Sequence, residues 1–182
     1  MGIAVIYGSS RRSGNSEQLA KRLVDGFEAD HIYLSEYDIQ PIQDYRHSDK
    51  GAYPNDDYHA IIKRVLEQDK LVFATPIYWY GPSGLTKTFI DRWSQSLREN
   101  KAEFLAKLSA KSAWVLGVGD DAPHLKGIPL VQQFQYIFQY TGTAFEGYVL
   151  GRGNRPGDIS QDHAALAAVD AIRKGWEERL EE

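Results

Sequence analysis

Short apolar runs alternate with amphipathic stretches along this chain of 182 residues, and that rhythm leaves few folds open. Ile3–Tyr7 is continuous and rich in aliphatic residues, as a strand buried on both faces must be. Residues 32–34, 71–74, 113–116 and 144–150 read the same way. Between them apolar positions return at helical spacing. Leu19, Leu23, Val24 and Phe27 share one face, with Asn15 and Gln18 placed as a capping box. Ile61, Val65 and Leu66 follow, then Leu85, Phe89, Ile90, Trp93 and Leu97 as one helix. Val131, Phe134 and Phe138 lie within a helix over 129–140, and Ala165, Val169, Ile172 and Trp176 define the last. Residues 36–57 are polar and form the longest irregular segment expected. Strand followed by helix, repeated to the end, predicts an α/β fold: a five-stranded parallel sheet with helices on both faces, one domain over 1–182. Ligands of such sheets sit outside the carboxyl ends of the strands, near the switch in strand order. Function is therefore to be sought in the loops after the first, third and fourth strands.

What the chain lacks narrows the chemistry. It has no cysteine, which removes disulfides, thiolate nucleophiles, Cys-ligated iron–sulfur clusters and Cys-type zinc sites together. No two of the five histidines (His31, His47, His59, His124, His163) stand at the i, i+4 spacing of a helical metal pair, and they read as surface or supporting residues. A net charge of -4 without a polybasic run gives no reason to expect nucleic acid or a membrane surface. No apolar stretch approaches the roughly 20 residues of a bilayer span, and the first residues do not read as a signal peptide. The chain is expected to be cytoplasmic.

The first loop is Gly8-Ser9-Ser10-Arg11-Arg12-Ser13-Gly14-Asn15-Ser16, and it leads directly into a helix. Backbone amides, the positive end of the helix, and Ser or Asn donors together make an anion site. An arginine adds charge-assisted bonds to a phosphate. The lysine of a P-loop is missing, and so is a dinucleotide GxGxxG. The same residue types also cap helices that bind nothing, but the charge and length here favour a phosphate. The second loop places Tyr78, Trp79 and Tyr80 in a row at the end of a strand, between Pro76 and Gly81. A core strand would alternate or be aliphatic, and a loop normally sheds large aromatics. They suit a flat ring system or a subunit contact, and the two are compatible. In the third loop, Gly117 and Gly119 allow close backbone approach, while Asp120 and Asp121 read as turn residues rather than a metal pair. The glycine-rich residues 151–157 fail the dinucleotide spacing and read as a loop bordering the substrate.

Gly8-Ser9-Ser10-Arg11 through Gly14-Asn15-Ser16, with Pro76-Ile77-Tyr78-Trp79-Tyr80-Gly81-Pro82-Ser83-Gly84 and the Leu85-Thr86-Lys87-Thr88-Phe89-Ile90-Asp91-Arg92 that follows, resembles the NADPH-dependent FMN reductase family. That family is related to the iron–sulfur flavoproteins and the flavodoxin-like quinone reductases. The resemblance implies a flavodoxin-like doubly wound sandwich that binds FMN, with NADPH or NADH as co-substrate. Hydride would pass through the FMN to a quinone, azo, nitro or flavin acceptor. It implies that Ser9, Arg11, Ser13, Asn15 and Ser16 hold the FMN phosphate. Pro76, Ile77, Tyr78 and Trp79 would border the isoalloxazine, with Gly117, Gly119 and Asp120 approaching its other side. The cofactor carries the chemistry, so no catalytic residue is assigned to the protein. Lys87, Phe89, Ile90, Asp91 and Arg92 take a structural role. Iron–sulfur flavoproteins carry a cysteine cluster ahead of the aromatic loop, where this chain has the Cys-free residues 44–57, so an iron–sulfur partner is excluded. Low-molecular-weight phosphatases need a cysteine, and response regulators need acidic residues where Ser9 and Ser10 stand. Aromatics at 78–80 and on the helix ending near Tyr140 suggest a homodimer or homotetramer. Two alternatives remain. One is a flavodoxin-type electron carrier with little NAD(P)H activity, although such carriers are typically much more acidic. The other is a non-flavin module binding a different phosphate, against which the aromatic triplet argues.

Overall fold

The apolar runs become five parallel strands: β1 (Ile3–Tyr7), β2 (Ala29–Tyr33), β3 (Lys70–Pro76), β4 (Ser112–Gly119) and β5 (Ala144–Arg152). They lie in the order β2-β1-β3-β4-β5. The computed structural model describes residues 1–45, 47 and 52–181. Burial on both faces explains why these strands read as continuous apolar runs. Side chains still alternate between the two layers. Ile3, Val5 and Tyr7 enter the core under α1 (Asn15–Leu23) and α7 (His163–Glu181), whereas Ala4 and Ile6 enter the other. That second core lies under α2 (Tyr58–Leu66), α3 (Gly84–Asp91), α4 (Trp93–Ser109) and α6 (Ile128–Thr141). Phe73 at its centre packs on Trp93, Phe134 and Phe138, with ring centroids 5.1–6.3 Å apart. Each such fully buried side chain stabilises the fold by about 1.5–3 kcal/mol.

Local structure departs from the sequence pattern in five places. β2 starts earlier than expected, and Leu34 leaves it to open a 3-10 turn (Leu34–Glu36). Asn15 and Gln18 do not form a capping box. Gly14 is the N-cap, and the carboxylate of Glu17 reaches back to accept the Ser13 amide at 2.6 Å. The single helix expected through Leu85–Leu97 breaks at Arg92 into α3 and α4, while Phe89 and Trp93 stay in one core. α4 is interrupted again at Asn100 (φ -154°), whose side chain accepts the Glu103 amide at 3.3 Å and restarts the helix. A one-turn helix, α5 (Pro123–Lys126), stands between β4 and α6. Of the irregular segment 36–57, residues 46 and 48–51 lie outside the described residues, including part of the Cys-free stretch.

Candidate functional site

The strand order reverses at β1. The chain steps outward from β1 to β2, then crosses back to β3 and continues to β5. Connections leaving β1 and β3 therefore diverge, and a crevice opens beyond their carboxyl ends. A cavity of about 310 Å³ occupies it. After β1 come Ser9, Ser10, Arg11, Gly14, Asn15 and Ser16, and after β3 come Pro76, Ile77 and Tyr78. Val118 and Gly119 of β4 and Asp120 just after it, with Gly153 and Asn154 after β5, complete the wall. A second hollow of about 280 Å³ shares Ile77, Gly119 and Asp120 with the first and adds Trp79, Tyr80, Asp121 and Lys126.

Backbone and hydroxyl bonds fix the first two loops to each other. The Ser83 hydroxyl donates to the Gly8 carbonyl at 2.5 Å and caps α3 by accepting the Thr86 amide at 3.2 Å. Gly8 is required by this close approach, since a Cβ there would lie 1.8 Å from the Thr86 hydroxyl oxygen. The first backbone bond of α1 runs from the Gln18 amide to Gly14 at 3.0 Å, and no side chain caps Gly14. The amides ahead of Gln18 thus present the positive end of the helix to the cavity loop.

Neighbouring arginines take different directions. Arg12 turns back to pair with Glu36 and lies over the Tyr33 ring, 3.4 Å from its centroid. Arg11 lines the cavity, and its guanidinium has no partner among the described residues. Ser9 accepts the Arg11 amide at 3.1 Å. Asn15 lines the cavity too, but its amide group is committed elsewhere. It donates to the Arg155 carbonyl at 2.9 Å and accepts the amides of Gly157 and Ile159 at 3.0 and 3.3 Å. Asn15 therefore ties the loop after β5 to the start of α1.

Nine of the twelve residues singled out from sequence meet at this cavity: Ser9, Arg11, Asn15, Ser16, Pro76, Ile77, Tyr78, Gly119 and Asp120. Ser13 does not line it; it sits behind the loop at φ 56° with its amide on Glu17. Trp79 belongs to the second hollow and is 95% exposed. It and Tyr80 occupy the two centre positions of a tight turn, both at positive φ (48° and 65°), while Tyr78 and Gly81 exchange backbone bonds at 3.0 Å. Such a turn ordinarily takes Asn-Gly. Gly117 lines neither hollow. A Cβ there would meet Leu150 at 3.0 Å and Ile77 at 3.3 Å, so its absence lets Ile77 lie against β4. The Ile77 amide donates to Val118 at 2.8 Å, fixing that contact.

The rim carries charge. Lys126 donates to both oxygens of Asp121 at 2.7 Å and, with the Tyr80 hydroxyl at 3.1 Å, holds the Asp121 carboxyl below its usual pKa. Asp120 faces Arg152 at 3.7 Å and accepts from the Asn154 side chain at 3.2 Å. The sequence reading missed Asn154, Gly153 and Val118 as wall residues, although the glycine-rich run at 151–157 pointed to the first two. It also missed Glu17, which carries no sequence signal beyond that of a helix-surface glutamate.

A larger hollow of about 870 Å³ lies between α3, α4, α6 and residues 42–45 and 53, walled by Trp93, Leu97, Phe104 and Ile137. It contains no residue of the loops after β1, β3, β4 or β5, and so has neither the helix N-terminus nor the aromatic turn. Among the described residues, no helix is long and apolar enough to cross a membrane.

Residues 1–128 match the family described as NADPH-dependent FMN reductase. The YwqN protein of Bacillus subtilis (strain 168), named as an NAD(P)H-dependent FMN-containing oxidoreductase, is 54% identical over 176 residues, covering 96% of this chain and 97% of that protein. An iron–sulfur flavoprotein of Methanocaldococcus jannaschii is 27% identical over 187 residues, 96% of this chain and 94% of that one. The solved Trp repressor binding protein of Bacillus subtilis superposes with a TM-score of 0.80 at 48% identity, over 93% of this chain and 96% of that chain. The sheet, its order and its two helical layers are flavodoxin-like, and the chain belongs to the NADPH-dependent FMN reductase family, as one of its NAD(P)H-dependent oxidoreductases.

Proposed function

We propose that the crevice beyond β1, β3 and β4 binds FMN, and that the protein uses it to pass reducing equivalents from NADPH or NADH to a small quinone, azo, nitro or flavin acceptor. The observation that carries this reading is one crevice with two chemically different ends. Arg11 and the open N-terminus of α1 supply positive charge at one end, and Ile77 with the aromatic turn supplies flat apolar surface at the other. The name of YwqN, an FMN-containing oxidoreductase more than half identical to this chain, supports the choice of cofactor.

The residues fit that group. Ser9, Ser10, Ser16, Arg11 and the first amides of α1 form a donor set for a phosphate. A charge-assisted bond of the kind Arg11 offers contributes about 1.5–3 kcal/mol. Ile77, held against β4 by the glycines at 117 and 119, forms with Tyr78 one side of a slot for a planar ring, with Trp79 beside them. Ser13, Asn15 and Gly117 shape the site without lining it through a free polar group. When bound, FMN supplies the two-electron chemistry that links the nicotinamide to the acceptor. The chain's own part is to bind, orient and shield.

Exposed Tyr136 and Tyr140 on α6, together with Tyr78 and Tyr80, favour an assembly of two or four copies. A cytosolic location, where NAD(P)H is at hand, accords with the same reading. The test is steady-state oxidation of NADPH and NADH by the FMN-reconstituted protein with menadione as acceptor. Sustained turnover is expected. A protein that retains FMN yet turns over neither nucleotide would instead be an electron carrier.

A further inference from the structure

Glu17 stands in the first turn of α1, a position where carboxylates normally face solvent, yet its side chain is only 2% exposed. One oxygen accepts the Ser13 amide at 2.6 Å. The other accepts the Tyr33 hydroxyl at 3.2 Å and lies 2.8 Å from the Lys21 ammonium. The Arg12 guanidinium approaches to 3.9 Å. Burial pushes the Glu17 carboxyl up, but Lys21, the Ser13 amide and Tyr33 outweigh it, so the group stays below its usual pKa and ionised at neutral pH. From the next residue, the Gln18 side-chain amide donates to the Ser13 carbonyl at 2.8 Å. Ser13 is thus gripped on both sides in a left-handed conformation that a non-glycine residue rarely adopts. That conformation turns the loop so that Arg12 runs back over Tyr33 while Arg11 faces the cavity.

We propose that Glu17 is the positioning residue of the phosphate loop: by holding the Ser13 amide it sets residues 9–16 in the shape that takes a dianionic phosphate. This rests on the FMN reading above. A carboxylate so near an anion site would repel the ligand if it faced it. Here it is turned away, and its charge is met by Lys21 and Arg12.

The test compares two flavins that differ only in the phosphate. Full-length protein freed of flavin is titrated with FMN and with riboflavin, following quenching of flavin fluorescence. E17A is expected to raise the Kd for FMN about tenfold or more, as loss of a hydrogen bond to a charged group does, and to leave riboflavin unchanged. E17Q keeps a carbonyl acceptor for the Ser13 amide and should stay within about threefold of the parent. Ser13→Pro removes that amide and forbids a positive φ while leaving the buried carboxylate and its cations in place. It gives the same FMN-selective loss, and decides the matter if E17A does not fold. Equal weakening of both flavins, an unchanged Kd for FMN, or E17Q as weak as E17A overturns the role assigned to Glu17. Parent protein that binds FMN no more tightly than riboflavin overturns the phosphate site itself, a result separate from those of the variants.

Discussion

Arg11 and Arg12 are adjacent and chemically identical, yet only Arg11 is free to meet an anion. Arg12 is spent on Glu36 and the Tyr33 ring. If Arg11 bonds the FMN phosphate, Arg11→Ala should weaken FMN binding by about 1.5–3 kcal/mol, or roughly 10- to 150-fold. Arg12→Ala removes the half-exposed pair with Glu36, the contact on Tyr33 and the more distant of the two cations beside Glu17, while Lys21 stays at 2.8 Å, so it should weaken FMN binding by about 1 kcal/mol or less. Flavin-fluorescence titration of the two variants checks the contrast, and equal effects would sink it. That the loop is rich in groups able to donate to an anion was legible from its hydroxyls and arginines. The division of labour within it was not, because the deciding partners lie far off in sequence. Asn15 is the clearest case: its amide looks like a phosphate donor until its acceptor proves to be the carbonyl of Arg155. Glu17 was equally opaque, since burial of a first-turn glutamate depends on Tyr33 arriving from β2.

At the scale of elements, the buried strands were the most legible feature, since a parallel strand covered on both faces has no alternative but a continuous apolar run. Helix ends were less so. Phe89 and Trp93 enter the same core across the break between α3 and α4, so spacing alone cannot reveal it. The break coincides with Arg92, which is fully buried. Its guanidinium is bonded to Asp56, the Gln40 carbonyl and Gln95, and it pins the irregular segment after β2 to α4. Asp56→Ala leaves that cation buried and unpaired, and is expected to cost about 3–5 kcal/mol, read from urea midpoints. Replacing both partners with apolar residues of similar size should cost less than the single change. Burial works to raise the Asp56 pKa, but bonds from Arg92 and from the Gln40 and Tyr58 amides prevail, so it lies below the ordinary value. Its contribution to stability is therefore constant from neutral pH down to about 4 and lost as pH falls further, through the folded-state pKa. The stability difference between the parent and Asp56→Asn should shrink over that acid range and nowhere above it.

The whole molecule places its site where the sheet changes direction, and that placement follows from the order β2-β1-β3-β4-β5. Alternating strands and helices made the sheet predictable. The reversal, which depends on which edge each crossover takes, was implied by the resemblance to a doubly wound fold rather than by periodicity, and the structure shows it at β1. A ligand bound across loops from four strands should stabilise the entire domain. FMN at a hundred times its Kd adds about 2.7 kcal/mol, which for a chain of this size raises Tm by roughly 5–10 °C. Riboflavin at the same concentration should raise it less. Whether this crevice holds FMN reducible by NAD(P)H is read from the visible absorption of the protein. The spectrum is recorded after adding FMN and desalting, then again after adding NADPH without oxygen. Flavin bands that survive desalting and bleach with NADPH are expected. A protein that emerges colourless does not hold FMN in this crevice.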